Sequence, residues 1–205
     1  MAFWTIYWIM NCIKKVKSQG KKNLSKKRYA HSKSCAAMAV HICEHYSLLK
    51  DSERTGIELA ALYHDMYREV SVRKLLMHTQ EISIPLTPEE QQWPSLLHAP
   101  VAAHHAGLHE CLSDSAIVTA IRWHTLASPD MGIMGAVLYC ADYMELERTY
   151  MTHKKVKSLL DAKRLEHLVK RVLEDHFEHS EKKRRDVAET TFDTYRYIIQ
   201  GGRFR

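Results

Sequence analysis

The junction between the apolar run Leu59-Ala60-Ala61-Leu62-Tyr63 and the adjacent pair His64-Asp65 constrains this chain more than any other stretch. The run must be buried, and it delivers two hard polar side chains to the end of a hydrophobic segment. Unpaired polar groups are costly there, so His64 and Asp65 need partners from elsewhere in the chain. Three residues in comparable apolar, helix-like contexts are candidates: His31, His124 and Asp142. Imidazole and carboxylate together suit a divalent first-row metal, and an Asp beside a His can reach the same ion or bridge two. The fold is therefore expected to gather distant segments around one metal site.

Seven Gly and five Pro among 205 residues are too few for the turns of an all-β chain, so the expected class is all-α. A hydrophobic content of 45% supports one core and demands no second domain. Cys35, Met38, Ile42 and Tyr46 follow His31 at three- and four-residue steps, which puts His31 on the buried stripe of a helix over 31–49. Further helices are expected over 56–65, 70–77, from Pro88, from Leu97, after a cap at Ser113 or Asp114, over 131–146, over 157–183 as one long charged helix, and over 188–200. Thr87-Pro88-Glu89-Glu90 has Pro at the first helical position and acids in the first turn. Gly201-Gly202 ends the last helix.

Cys12, Cys35, Cys43, Cys111 and Cys140 form no C-x-x-C pair, and the chain is longer than a disulfide scaffold. This points to reduced thiols in the cytoplasm and away from cysteine-bound zinc. The first dozen residues are apolar but short of the roughly 20 that cross a bilayer, so no transmembrane segment is expected. Charges follow this stretch instead of preceding it, unlike a secretory signal. Two readings stay open: translation starting at Met10, which removes Trp4, Tyr7 and Trp8, or an interfacial anchor. Eight of the fifteen residues from Lys14 to Arg28 are Lys or Arg. That run reads first as a solvated charged segment and second as a contact for RNA or an anionic surface, with no interleaved aromatics to stack bases.

Five blocks occur in order: Arg28-Tyr29-Ala30-His31-Ser32, Ala61-Leu62-Tyr63-His64-Asp65, Leu97-His98-Ala99-Pro100-Val101-Ala102, Ala120-Ile121-Arg122-Trp123-His124-Thr125 and Tyr139-Cys140-Ala141-Asp142-Tyr143. This pattern resembles the HD-domain metal-dependent phosphohydrolases, and more narrowly the bacterial symmetrical bis(5'-nucleosyl)-tetraphosphatase branch, which cleaves diadenosine tetraphosphate to two ADP. The resemblance implies a single HD-domain helical bundle with C-terminal accessory helices. Residues 1–27 would be an extension, 28–150 the phosphohydrolase core, and 151–205 helices completing the same domain. It also implies His31, His64, Asp65 and Asp142 as ligands of one or two divalent ions, iron first and manganese or another first-row metal next. His98 and His124 would lie beside them, serving the substrate's phosphates or a second metal. Arg28, Thr125, Arg148 and the 187–192 loop, including Thr191, would contact nucleotide. Arg68 stands where the branch has Lys, and Leu146-Glu147 replaces its Pro-Gly. Asp65, His98, His124 and Arg68 are the expected catalytic set, acting with metal-activated water.

Two other readings follow from the same residues. One is an HD phosphohydrolase acting on a nucleoside monophosphate or a signalling nucleotide. The other is a non-catalytic RNA- or ribosome-associated protein using Lys14 to Arg28, whose binding would fall steeply with salt. The amphipathic C-terminal helices allow a homodimer.

Overall fold

Small residues fill the centre of this chain, and they let its helices approach closely. The computed structural model describes residues 2–148 and 150–205, with side chains from residue 7 onward. Its elements are α1 (Ala2–Asn23), α2 (Lys26–His45), α3 (Asp51–Tyr63), α4 (Val72–Glu81), α5 (Pro88–Gln92), a 3-10 turn (Pro94–Leu97), α6 (His98–Gly107), α7 (Ser115–Trp123), α8 (Gly132–Met144), α9 (His153–Leu160), α10 (Leu165–Lys182) and α11 (Glu189–Ile199). No strand occurs among the described residues, so the class is all-α.

Helices α2, α3, α7 and α8 form the central layer, with α6 against α7 and α10 against α8. Ala60, Ala61, Ala120, Ala136 and Ala141 are fully buried at these contacts. A Cβ added to Gly56 would lie 3.1 Å from Met134 Cε, showing how near α3 and α8 come. Cys12 and Val16 of α1 join the same core, and α1 lies along α3.

Local signals set many of the boundaries. Thr87 Oγ1 accepts from Glu90 N while Glu90 accepts from Thr87 N, a complete capping box. Asp114 accepts from Ala116 N at the start of α7. Gly201 takes φ +90° past the end of α11 and donates to the Ile198 carbonyl.

The expected helix over 157–183 is instead two, broken at 161–164. Leu159 and Leu160 before the break and Leu165 and Leu168 after it are all buried, and one straight helix would not present both pairs to the core. The carbonyls freed by the break find side-chain donors. Arg171 donates to Ser158 O at 2.9 Å, and Tyr46 Oη donates to Leu160 O at 2.9 Å. Helix α3 also starts five residues before the expected Gly56, because Glu53 caps the Lys50 N–H at 2.7 Å.

The expectation of wholly reduced cysteines is corrected as well. Cys12 and Cys111 form a disulfide across 99 residues, with Cα atoms 5.4 Å apart, whereas Cys35, Cys43 and Cys140 are free and buried. Helix α1 runs beside the turn after α6, with Lys15 on Glu110 and Gln19 on His109, and this brings the two cysteines together, so cysteine usage no longer argues for a reducing compartment. Among the described residues no helix is long and apolar enough to cross a membrane.

Candidate metal centre

Three of the site histidines sit where helical turns end and leave carbonyls without helical partners. His64 follows α3, His98 follows the 3-10 turn, and His124 follows α7. Each ring Nδ1 lies on the carbonyl three residues earlier: His64 on Ala61 O at 2.7 Å, His98 on Ser95 O at 2.7 Å, His124 on Ile121 O at 2.8 Å. A carbonyl only accepts, so each Nδ1 carries the hydrogen and each Nε2 presents a lone pair inward. The fourth, His31 on α2, turns Nδ1 to the buried Glu145 carboxylate at 3.0 Å.

All four Nε2 atoms converge on one carboxylate. Asp65 Oδ2 lies 3.4 Å from His31 Nε2 and 3.6 Å from His64 Nε2, while Oδ1 lies 3.4 Å from His98 Nε2 and 3.7 Å from His124 Nε2. Asp142 Oδ1 approaches His31 Nε2 at 3.2 Å from the other side. His64 Nε2 is buried with no hydrogen-bond partner, and His98 and His124 face each other Nε2 to Nε2 at 3.3 Å. Buried lone pairs so arranged repel unless a proton or a cation lies between them. The donors therefore fit a divalent metal, in two triads that share Asp65: His31-His64-Asp65 and Asp65-His98-His124.

The electrostatics agree. Burial lowers His64 to about 4, so it is neutral at physiological pH, as a ligand must be. Burial also opposes protonation of His31, but Asp142, Asp65 and Glu145 outweigh it and push His31 up to about 11. Burial raises Asp65, yet His64 and the rings of His124, His31 and His98 hold its carboxyl well below the usual range. Metal binding must therefore displace a proton from His31 but none from His64. Potentiometric titration of metal-free protein near neutral pH is expected to show about one proton released per ion bound, with apparent affinity rising with pH toward the His31 value.

Asp65, His98 and His124 of the centre line a cleft of about 460 Å³. Arg28, Arg68, Thr125 and Arg148 line it, as does Asp142. Arg28 Nη1 donates to Asp65 Oδ2 at 2.6 Å, Arg148 Nη2 to Asp142 Oδ1 at 2.5 Å, and Arg68 Nη1 to Ser95 O at 3.3 Å. Thr125 Oγ1 is buried without a partner. Thr191 is not brought to the cleft. It is buried, and its hydroxyl donates to Leu126 O at 2.6 Å, next to Thr125.

Sequence reasoning missed two features. His176, His179 and Ser180 share one face of α10 at i, i+3 and i+4, and with Lys183, which caps the helix at i+7, they form the far wall, which Arg185 extends. That spacing was the available signal. Glu145, three residues after Asp142, has 1% exposure, approaches His31 and Arg148, and accepts from Glu147 N at 2.8 Å. Partners that orient a metal-ligating His typically tune affinity by 10–100-fold. Glu145→Ala is expected to weaken divalent-metal binding by about that range, read by competition with a fluorescent chelator, and Glu145→Gln by less.

Known proteins place this arrangement. A curated relative from Bacillus subtilis (strain 168), a symmetrical bis(5'-nucleosyl)-tetraphosphatase, is 28% identical over 183 residues, covering 88% of this chain and 94% of its own. One of the same name from Staphylococcus aureus (strain NCTC 8325 / PS 47) is 29% identical over 139 residues, covering 67% and 68%. The fold matches a crystal structure of an HD superfamily hydrolase from Clostridium acetobutylicum, described as involved in NAD metabolism, with a TM-score of 0.78 at 24% identity over 91% of this chain and 96% of that one. The HD domain model matches residues 28–168, more than half of the chain and the whole span from His31 to Asp142 that supplies the metal centre. This protein belongs to the HD domain family of hydrolases.

Proposed function

We propose that the protein hydrolyses diadenosine tetraphosphate symmetrically to two ADP, with a divalent metal, iron first, held by His31, His64, Asp65 and Asp142. One observation carries the reading: four imidazole Nε2 atoms gather on the Asp65 carboxylate, and Asp65, His98, His124 and Asp142 line a cleft that Arg28, Arg68 and Arg148 line as well. Such a cation supplies Lewis acidity, lowering the pKa of a water and offsetting charge on a phosphoryl oxygen. The names of the curated relatives support the substrate.

The chain's own residues account for the remaining needs. Arg28, Arg68 and Arg148 neutralise the polyphosphate, and their planar forks suit two oxygens at once. The unpartnered Thr125 hydroxyl donates to a phosphate oxygen, and Thr191 acts at one remove by holding the Leu126 carbonyl. Water attacks a phosphorus beside the central bridging oxygen, and the bond to that oxygen breaks. The Nε2 of His98 or His124, free of hydrogen because each Nδ1 donates to a carbonyl, takes a proton from the water and passes it to the leaving oxygen, so one water and one dinucleotide give two ADP. Such a nucleotide substrate places the work in the cytoplasm.

The test is selectivity. Turnover of diadenosine tetraphosphate should exceed phosphate release from nucleoside monophosphates by at least about a hundredfold in kcat/KM, roughly 3 kcal/mol of differential transition-state binding. Comparable efficiency on monophosphates would overturn the assignment.

A further inference from the structure

Helix α1 carries features the hydrolase reading does not use. Its buried side, with Cys12, Val16 and Gly20, faces the domain. At about 100° per residue, Tyr7, Met10, Lys14 and Lys21 fall on one outward stripe roughly 60° wide. Tyr7 is 66% exposed, and Trp8 and Met10 are each 52% exposed. No charged residue precedes Lys14. The stripe is thus aromatic and apolar in its first half and cationic in its second, over about 21 Å from Tyr7 to Lys21.

The charges are free to act outward. Lys15 and Lys17 pair with Glu110 and Glu58, whereas Lys14, Lys21 and Lys22 have no carboxylate partner among the described residues. Neighbouring Lys26 and Lys27 are exposed too. The Cys12–Cys111 disulfide and the Lys17–Glu58 pair fasten α1 to the body, so whatever holds α1 holds the whole domain.

We propose that α1 docks the protein on an anionic lipid surface, with Tyr7 and Met10 entering the headgroup–acyl boundary and Lys14 and Lys21, flanked by Lys22, over the acidic headgroups. Tyr and Trp favour this boundary, and a basic segment beside a short apolar one supplies the two signals that reversible membrane binding needs. RNA would meet the lysines but leave the exposed apolar turns unused, and pairing two copies through this stripe would bring like charges together.

Co-sedimentation of the full chain with vesicles of phosphatidylcholine, with and without phosphatidylglycerol, tests this. The expected result is pelleting with phosphatidylglycerol vesicles only, abolished by high salt. Two variants should each lower partitioning by at least about tenfold: deletion of residues 2–9, which precede Cys12, the first buried residue among those whose side chains are described, and Lys14→Glu with Lys21→Glu and Lys22→Glu. Metal content should not change, and circular dichroism should change only by the eight helical residues that the deletion removes. Wild-type protein left in the supernatant, or pelleting undiminished by both variants, would overturn the proposal. Lysine-dependent binding to poly(U) without vesicle binding would do so in favour of RNA. A dimer by light scattering that dissociates on deletion of residues 2–9, again without vesicle binding, would do so in favour of a second copy.

Discussion

Asp65→Ala is expected to remove bound metal and turnover together, lowering kcat/KM by about a thousandfold or more. The size follows from the position of one carboxylate. Its two oxygens lie within 3.4 to 3.7 Å of four imidazole nitrogens, and one also receives Arg28 at 2.6 Å. Without it, both candidate triads lose their shared anion, and the Arg28 guanidinium loses its carboxylate partner. Lewis-acid activation is worth several kcal/mol in the transition state, and about 4 kcal/mol corresponds to a thousandfold. His64→Ala should act in the same direction, because His64 Nε2 has no competing partner and is already neutral. Metal analysis of purified protein and a hydrolysis assay, with circular dichroism to confirm folding, make the comparison. Near wild-type activity in either metal-depleted variant would refute the role given to the pair.

Arg122→Ala is expected to cost about 3–5 kcal/mol of stability, although Arg122 touches no substrate. Its guanidinium forks onto both oxygens of Glu90, with Nη2 to Oε2 at 2.7 Å, and stacks over the Trp123 ring at 4.5 Å. Glu90 is fully buried and the Arg122 side chain is 17% exposed, so removing Arg122 leaves the Glu90 charge unpaired in the interior. Typical domains have only about 5–15 kcal/mol in total, so Tm should fall by roughly 10 °C or more in a chain of this size. Replacing both residues by Leu should restore most of the loss, since the penalty belongs to the orphaned charge. Arg122 lies two residues before His124, so the single variant should also loosen the metal centre. A drop of only a degree or two would contradict this account of Glu90.

What the sequence revealed, and what it hid, divides by range. The Thr87–Glu90 capping box, the Asp114 cap and the Gly201 stop depend on contacts within a few residues, and each was readable from the local string. The stripe from His31 through Cys35, Met38 and Ile42 was readable because burial on a helix repeats every three or four residues. The break at 161–164 was not, because charged residues suit a helix surface and a turn equally well. Only the need to bury Leu159, Leu160, Leu165 and Leu168 decides between them. The Cys12–Cys111 bond and the Arg122–Glu90 pair join positions 99 and 32 residues apart, and no spacing rule connects them. At the centre, residue types and apolar contexts pointed to His31, His64, Asp65, His124 and Asp142 as a group. The inward direction of each Nε2 became visible only with the carbonyls that hold each Nδ1, and Thr191 proved committed to the Leu126 carbonyl.

The most direct measurement is ion-exchange analysis of the products formed when iron- or manganese-loaded protein is incubated with diadenosine tetraphosphate, beside Asp65→Ala. ADP as the sole nucleotide product, absent in the variant, is the expected result. ATP plus AMP, or no turnover by the metal-loaded wild type, would contradict symmetrical, metal-dependent cleavage at this centre.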